Sequence, residues 1–218
     1  MSKENKKTVQ VYQETAHLYL ENSATHDQLD PEKAKRKQVR LQNLIKESFS
    51  SLPMHSKIFE IGSGEGFNAK FMQDLGFDVT ASDTATAFIE ATKNQGVKTI
   101  RFDVMEDSLP EKYSGVFCWR VFVHFTEDDI LYTLNKIYDS LEENGIFIFN
   151  AINRETKSVS EEWVDFSGEY HMGVERYYHY FLQEELDRII SQTKFQIQSF
   201  HKEGGDNNNK WLVYVLKK

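Results

Sequence analysis

Three glycines at alternate positions suggest a ligand-binding loop. Gly62, Gly64 and Gly66 follow a β-branched apolar run and precede a segment of helical character, in the stretch IFEIGSGEGFNA over residues 58–69. Glycine lets the backbone turn sharply and approach a ligand without a Cβ clash. The N-terminus of the following helix offers free N–H groups that suit a phosphate or a carboxylate. The stretch therefore predicts a site for a nucleotide, a phosphate or another adenosine-containing cofactor.

Acidic residues stand where this strand and the next two strands are predicted to end. Glu60 lies two positions before the first glycine, Asp83 follows about 20 residues after that glycine, and Asp103 follows after a similar interval. A carboxylate at the end of the second strand can accept hydrogen bonds from both ribose hydroxyls. Asp103 can accept one from an adenine amino group, and Glu60 places negative charge where a cationic ligand group could be held.

These residues need a scaffold that brings strand ends together, and the rest of the chain predicts one. Apolar strands alternate with helices from residue 57 to 152, which is typical of an α/β, doubly wound, mostly parallel sheet. Two alternating runs, 195–201 and 210–216, predict an antiparallel C-terminal hairpin and bring the sheet to seven strands. A long helix is expected over residues 126–145, directly before the fifth strand.

The N-terminal region adds helices over residues 8–20 and 31–50, the second opened by a proline in its first turn. We expect a single domain over residues 1–218. Within it, residues 1–50 are predicted to form a helical lid and residues 153–181 an acceptor-site insertion.

Composition narrows the possible partners and compartment. The net charge of −8 makes the chain a poor non-specific binder of phosphate backbones, so nucleic acid is not an expected partner. Cys118 is the one cysteine, which excludes a disulfide within the chain, and the seven histidines show no metal-ligand spacing. The polar N-terminus has no signal-peptide core, and no run approaches the roughly 20 apolar residues of a membrane helix. A cytoplasmic protein with no metal is the expectation, and the oligomeric state stays open.

The glycine loop departs from the pattern of dinucleotide-binding proteins. Those loops read G-x-G-x-x-G, whereas Phe67 occupies the sixth position here and an acid precedes the glycines. This spacing resembles the class I S-adenosylmethionine-dependent methyltransferases of small molecules. FEIGSGEG is similar to their first motif, VTASD to their ribose-binding segment and IRFDVMEDSLP to their adenine-binding segment. VFCWRVFVHF and LEENGIFIF are similar to their fourth and fifth strands, so the resemblance covers about residues 8–217.

The resemblance implies a Rossmann-like fold, S-adenosylmethionine as cofactor and S-adenosylhomocysteine as product. It also implies that the glycine loop, the strand ends and the lid contact the cofactor, through Tyr12, Tyr19, Arg40, Glu60, Gly62, Ser63, Gly64, Asp83, Thr84, Asp103, Val104, Met105, Cys118 and Trp119. The two tyrosines would close over it from the lid. Arg40 would pair with its carboxylate, with Arg36 and Lys37 as alternatives and a solvated arginine as the simpler interpretation.

Methyl transfer from a sulfonium needs alignment and exclusion of water more than it needs catalytic groups. A general base is required only where the acceptor must lose a proton. His124, just after the fourth strand, is the first candidate for that base, and a structural histidine is the alternative. Arg120 could orient an anionic acceptor or pair with a nearby acid.

An aromatic segment over residues 163–181 falls where this family builds its acceptor site. Its aromatic rings could stack on a planar acceptor or hold an ammonium group, or they could pack on the core. The predicted substrate-binding residues there are Tyr170, His171, Tyr178 and His179. The predicted function is methyl transfer to oxygen or nitrogen of a small molecule. A tRNA-modifying methyltransferase, an NAD-dependent oxidoreductase and a non-catalytic cofactor-binding module are the alternatives.

Overall fold

The computed structural model describes residues 1–165, 174–204 and 210–218. The helices are α1 (Lys3–Leu29), α2 (Pro31–Ser48), α3 (Phe67–Asp74), α4 (Thr86–Asn94), α5 (Glu127–Ser140) and α6 (Gln183–Ser191). The strands are β1 (Lys57–Ile61), β2 (Asp78–Asp83), β3 (Lys98–Arg101), β4 (Tyr113–Cys118), β5 (Leu141–Asn153), β6 (Glu161–Asp165), β7 (Glu175–Phe181), β8 (Gln196–Glu203) and β9 (Trp211–Lys217).

Seven of the strands form the main sheet, in the order β3–β2–β1–β4–β5–β9–β8. The first five run parallel, and β9 lies antiparallel between β5 and β8. The parallel strands read as apolar runs because helices cover both faces. In β1, for example, Ile58 packs against Ile45 and Met72 on one face, while Phe59 packs against Phe102 on the other. The predicted α/β, Rossmann-like sheet with an antiparallel C-terminal hairpin is confirmed.

Two further strands come from the segment predicted as the acceptor insertion. β6 and β7 form an antiparallel pair. β7 also runs parallel to β5, but only at Ile152 and Asn153, beyond the point where β4 ends at Cys118. The β6–β7 hairpin therefore extends the sheet past β4, on the edge where the parallel strands have their carboxyl ends.

Three helix boundaries differ clearly from the prediction. α1 continues to Leu29 rather than ending near residue 20. α1 starts earlier than residue 8 because the hydroxyl of Ser2 caps it by accepting from the Asn5 N–H. α5 ends at Ser140 rather than near residue 145, because Leu141 is buried and pairs with Tyr113 as the first residue of β5. A long-range strand contact thus ends a helix that the local pattern would have continued.

The two N-terminal helices pack in different places. The last turns of α2 enter the core beside β1 through Ile45 and Phe49. α1 instead lies across the carboxyl edge of the sheet, against α4 through Ala16 and Phe88 and against β7. α1 is thus the element that covers the strand ends. Among the helices that the structure describes, none is long and apolar enough to cross a membrane.

Candidate functional site

The glycine loop between β1 and α3 leaves room for a ligand to approach the backbone closely at one position. Gly62, Gly64 and Gly66 all have positive φ, of 72°, 53° and 84°. A Cβ on Gly62 would lie 2.4 Å from a methyl group of Val121, and one on Gly66 would lie 2.8 Å from the backbone of Thr92. A Cβ on Gly64 would meet nothing within 4 Å. The first and third glycines are thus required by packing, and the second faces open space.

Hydrogen bonds to the two neighbouring elements fix this loop. The Ser63 N–H donates to the Ser82 carbonyl at 2.8 Å, which ties the loop to β2. The Thr92 hydroxyl donates to the Gly64 carbonyl at 3.0 Å and accepts from the Ser63 hydroxyl, also at 3.0 Å, which ties it to α4. Ser63 therefore has a clear structural role, whatever contact it makes with a ligand.

Asp83, the last residue of β2, turns its carboxylate toward the same loop. It accepts from the Gly64 N–H and from the Ala85 N–H, each at 3.0 Å. Burial raises the pKa of this carboxyl, and these backbone hydrogen bonds oppose the rise. Thr84, the next residue, is half-buried. The acid thus lies beside the open face of Gly64, as its spacing in the sequence predicts.

Glu60 is a buried acid with one oxygen that has no partner among the described residues. Its residue is only 1% exposed, and its Oε2 atom has no hydrogen-bond partner among the described residues. Burial, together with the nearby charge of Asp83, raises its pKa well above the ordinary range, and hydrogen bonds from Asn68 and from the Ala69 backbone oppose this. A buried polar atom without a partner costs about 1–3 kcal/mol. Such a carboxyl is suited to a ligand that brings a cationic donor.

A third acid follows β3. Asp103 is buried and accepts from the Met105 N–H at 2.9 Å, while its own N–H donates to Asp107 at 2.8 Å. Burial is the main cause that raises its pKa. Val104 and Met105 are buried beside it. This tight turn presents a carboxylate and apolar side chains together, a combination that suits a planar base with an amino group.

The end of β4 contributes Cys118 and Trp119 to the site. Cys118 is fully buried, and burial, with the charge of Glu60 as a second cause, raises its pKa well above the ordinary value. It is therefore a thiol rather than a nucleophilic thiolate. Trp119 stacks on Phe117 with ring centroids 5.8 Å apart.

Arg120 has a partner that the sequence did not predict. Its guanidinium lies 5.5 Å from the ring of Trp211, and its backbone N–H donates to Asn150 at 2.7 Å. The residue has a positive φ of 62° and is exposed. Neither an acid nor the aromatic segment is among its described contacts, so its predicted role toward an acceptor stays a prediction.

His124 belongs to a hydrogen-bonded relay of three side chains, Arg176, Tyr12 and His124. Its Nδ1 lies 2.6 Å from the Tyr177 carbonyl, and its Nε2 lies 3.0 Å from the Tyr12 hydroxyl. Because a carbonyl only accepts, Nδ1 carries the proton and Nε2 accepts from the phenol. The Tyr12 oxygen in turn accepts from Nη1 of Arg176 at 2.7 Å. Burial lowers the pKa of His124 to about 3, so the ring is neutral.

The predicted aromatic set divides between the two faces of β7. The ring of Tyr178 meets the ring of His124 edge-on, at 4.7 Å between centroids. His179 lies on the other face, stacked on Phe181 at 4.0 Å. Tyr170 and His171 lie outside the described residues.

Among the other residues predicted to bind cofactor, Tyr19 contacts Phe88 of α4 edge-on at 5.6 Å, and Tyr12 lies 6.3 Å from the same ring. Arg40 is different, because it is exposed and lines a shallow groove formed by α2 alone. Its contact with a cofactor carboxylate remains a prediction.

Arg176 is the residue of this site that the sequence analysis missed. It is only 2% exposed, and its guanidinium lies 4.9 Å from the Tyr12 ring as well as bonding the hydroxyl. Alternation along the strand could have indicated it, because Arg176 shares its face with Tyr178. A lone arginine in an aromatic run gives no other signal.

Comparisons with known proteins identify the family of this chain. The family model described as a methyltransferase domain matches residues 32–199. Among curated protein sequences, none matches this chain.

Solved structures give the same fold. An S-adenosylmethionine-dependent methyltransferase from Clostridium acetobutylicum superposes with a TM-score of 0.69 at 13% identity, over 91% of this chain and 98% of that one. One from Methanosarcina mazei gives a TM-score of 0.66 at 15% identity, over 78% and 95%. The glycopeptide N-methyltransferase MtfA, in complex with S-adenosylhomocysteine, gives 0.62 at 14% identity, over 81% and 88%.

The residues present fit the cofactor of such enzymes. S-adenosylmethionine carries an amino group that suits the unpartnered oxygen of Glu60, ribose hydroxyls that suit Asp83 and an adenine that suits Asp103. The open space at Gly64 lies beside Asp83, to which the Gly64 N–H donates. The chain therefore belongs to the methyltransferase domain family and is a class I S-adenosylmethionine-dependent methyltransferase.

Proposed function

We propose that this enzyme methylates a nitrogen or an oxygen of a small-molecule acceptor. The observation that carries the proposal is the enclosure of the strand ends by α1, the 3₁₀ turn Phe122–His124 and β7, which meet through Tyr12, His124 and Tyr178. A site walled on three sides suits a small acceptor better than a nucleic-acid helix. S-adenosylmethionine, when bound, supplies an activated methyl group.

On the donor side, we propose that Glu60 holds the cofactor's amino group, Asp83 its ribose and Asp103 its adenine. Gly62, Ser63, Gly64 and Thr84 line the loop, and Val104, Met105, Cys118 and Trp119 supply the apolar surface. Tyr12 and Tyr19 cover the cofactor from α1. The support is the burial of the three acids and the closeness of their elements in the sheet.

On the acceptor side, the state of His124 favours an acceptor that needs no strong base. Both of its ring nitrogens are engaged, and burial lowers its pKa to about 3. His124 could accept a proton from an acceptor only after Tyr12 left Nε2. An amine in its free-base form reacts without this step. One of the structural neighbours is named a glycopeptide N-methyltransferase, which also favours nitrogen.

A tRNA acceptor is the second candidate. It is favoured by the exposed basic side chains of α2, among them Lys35, Arg36 and Arg40. It is disfavoured by the net charge of −8.

The test is formation of S-adenosylhomocysteine by the purified protein with S-adenosylmethionine and separate sets of amines, phenols and unmodified tRNA. We expect turnover with at least one amine or phenol and none with tRNA. The Tyr178→Ala variant should raise the acceptor KM several-fold and leave the affinity for S-adenosylhomocysteine unchanged. Turnover on tRNA alone would replace the proposal with the second candidate. Tight binding of S-adenosylmethionine without turnover on any set would favour a non-catalytic module.

A further inference from the structure

We infer that Arg176 and His124 are positioning residues that hold Tyr12, and with it α1, closed over the donor site, and that protonation of His124 opens this contact. The inference rests on the donor site proposed above. It adds a regulation of access to that site.

The hydrogen bonds of the relay have only one consistent direction. Arg176 can only donate, and it donates to the Tyr12 oxygen. The proton of Tyr12 then has to point at Nε2 of His124, which accepts it because Nδ1 carries the ring proton toward the Tyr177 carbonyl. A protonated ring has a donor at both nitrogens and cannot accept from Tyr12. Protonation thus leaves the Tyr12 proton without an acceptor and places a second positive charge beside that of Arg176 at the same phenol oxygen, which weakens the contact between α1 and the 3₁₀ turn.

Part of the remaining contact of α1 is polar, beside its apolar packing through Val11, Tyr12 and Ala16. The Thr8 hydroxyl accepts from the Tyr177 N–H at 3.1 Å, and the hydroxyl of Ser2 donates to the Asp129 carboxylate at 2.5 Å. Asn5, Thr8 and Thr15 are buried on this face of the helix. Such polar contacts lose little free energy when water replaces the protein partner. Since α1 covers the strand ends, it has to move for a cofactor to enter.

Proton uptake should follow this opening. The groups that face His124 are Tyr12 from α1, and Arg176, Tyr178 and the Tyr177 carbonyl from β7. Burial, aided by the charge of Arg176, lowers its pKa to about 3 from 6.5. When α1 leaves, water reaches the ring and the pKa returns toward 6.5. The closed form therefore binds fewer protons between pH 3 and 6.5, and acid favours the open form.

The test is hydrogen exchange of the α1 amides in the cofactor-free protein at pH 8.0 and pH 5.5, corrected for the intrinsic exchange rates. With an open-state pKa of 6.5, the opening equilibrium of α1 should rise about tenfold at the lower pH. His124→Gln keeps an acceptor near the position of Nε2 but cannot be protonated in this range, so it should remove the pH dependence. His17→Gln changes an exposed histidine of the same helix and should behave like the wild type.

Hydrogen exchange of variants at the other two relay residues, and exchange with bound S-adenosylhomocysteine, test the relay further. Tyr12→Phe should open α1 at both pH values, and Arg176→Lys, which keeps a charged donor, should open it less than Arg176→Met. Saturating S-adenosylhomocysteine should slow exchange in α1. An unchanged pH dependence in His124→Gln would overturn the inference. A pH dependence that follows His124, without protection by S-adenosylhomocysteine, would keep the relay and show that the proposed donor site lies elsewhere.

Discussion

At the scale of single residues, Glu60 shows how an unfavourable environment can indicate function. The protein buries a carboxyl, leaves its Oε2 atom without a partner among the described residues, and places it two positions before the glycine loop. Burial, with the charge of Asp83 as a second cause, raises its pKa well above the ordinary range. A cationic ligand group lowers the pKa of this carboxyl again, because it stabilises the charged form.

We therefore predict that binding of S-adenosylmethionine releases a proton from Glu60. Calorimetric titration in two buffers of different ionisation enthalpy should show proton release on binding, and this release should increase as the pH falls. Glu60→Gln should abolish the release and weaken binding roughly tenfold or more, because a charge-assisted hydrogen bond is lost. The same variant should not lower the melting temperature of the cofactor-free protein. Equal affinity and equal proton release in the variant would remove Glu60 from the site.

Asp83 has two roles, and a matched variant separates them. It accepts from the Gly64 and Ala85 N–H groups, and it is proposed to accept from the ribose. Asp83→Ala should weaken binding of S-adenosylhomocysteine by about 1–3 kcal/mol and also lower stability, because two backbone donors lose their acceptor. Asp78→Ala, at the exposed start of the same strand, should change neither quantity appreciably. Unchanged affinity for S-adenosylhomocysteine in Asp83→Ala would contradict the ribose assignment.

At the scale of elements, the strand–loop–helix unit around Gly64 can be tested apart from the rest. Gly64 and Gly96 have similar positive φ values, of 53° and 78°, and a Cβ on either meets nothing within 4 Å. Alanine at each should therefore cost a similar strain of about 1 kcal/mol in unfolding free energy. Only Gly64→Ala should also weaken cofactor binding, because its Cβ enters the space assigned to the ligand. If both variants bind S-adenosylhomocysteine equally well, that space is not the cofactor site.

The same unit shows what the sequence could predict at this scale. The loop and its acids follow from local signals, namely glycines after an apolar run and acids at regular intervals. The β6–β7 hairpin did not follow, because its place depends on two residues at the end of β5, Ile152 and Asn153. The end of α5 at Ser140 depends in the same way on Tyr113, far away in the chain. Contacts that are distant in sequence leave no periodic signal.

At the scale of the whole molecule, the relay joins parts of the chain that no local pattern connects. Tyr12 lies on the N-terminal helix, His124 after the fourth strand and Arg176 on the added hairpin. The sequence singled out the first two for separate reasons and missed the third. Their connection through one phenol oxygen became visible only with the fold. The relay is thus less predictable than the glycine loop, because three distant segments build it.

The buried neutral state of His124 should also be measurable in the stability of the entire protein. Its pKa of about 3 in the fold lies below the 6.5 of an unfolded chain, so unfolding takes up a proton between these values and stability falls as the pH drops below 6.5. Between pH 7.5 and pH 5.5, this one group should cost about 1.4 kcal/mol of unfolding free energy.

Raised pKa values at the buried carboxyls of Glu60, Asp83 and Asp103 act in the opposite direction, so the total change does not isolate the histidine. The difference in pH-dependent stability between the wild type and His124→Gln isolates the histidine, since both proteins share those carboxyls. In urea unfolding at the two pH values, the unfolding free energy of the wild type should fall by about 1.4 kcal/mol more than that of His124→Gln. His17→Gln should behave like the wild type. Equal losses in wild type and His124→Gln would mean that water reaches the ring in the folded protein, and α1 would then not seal the site.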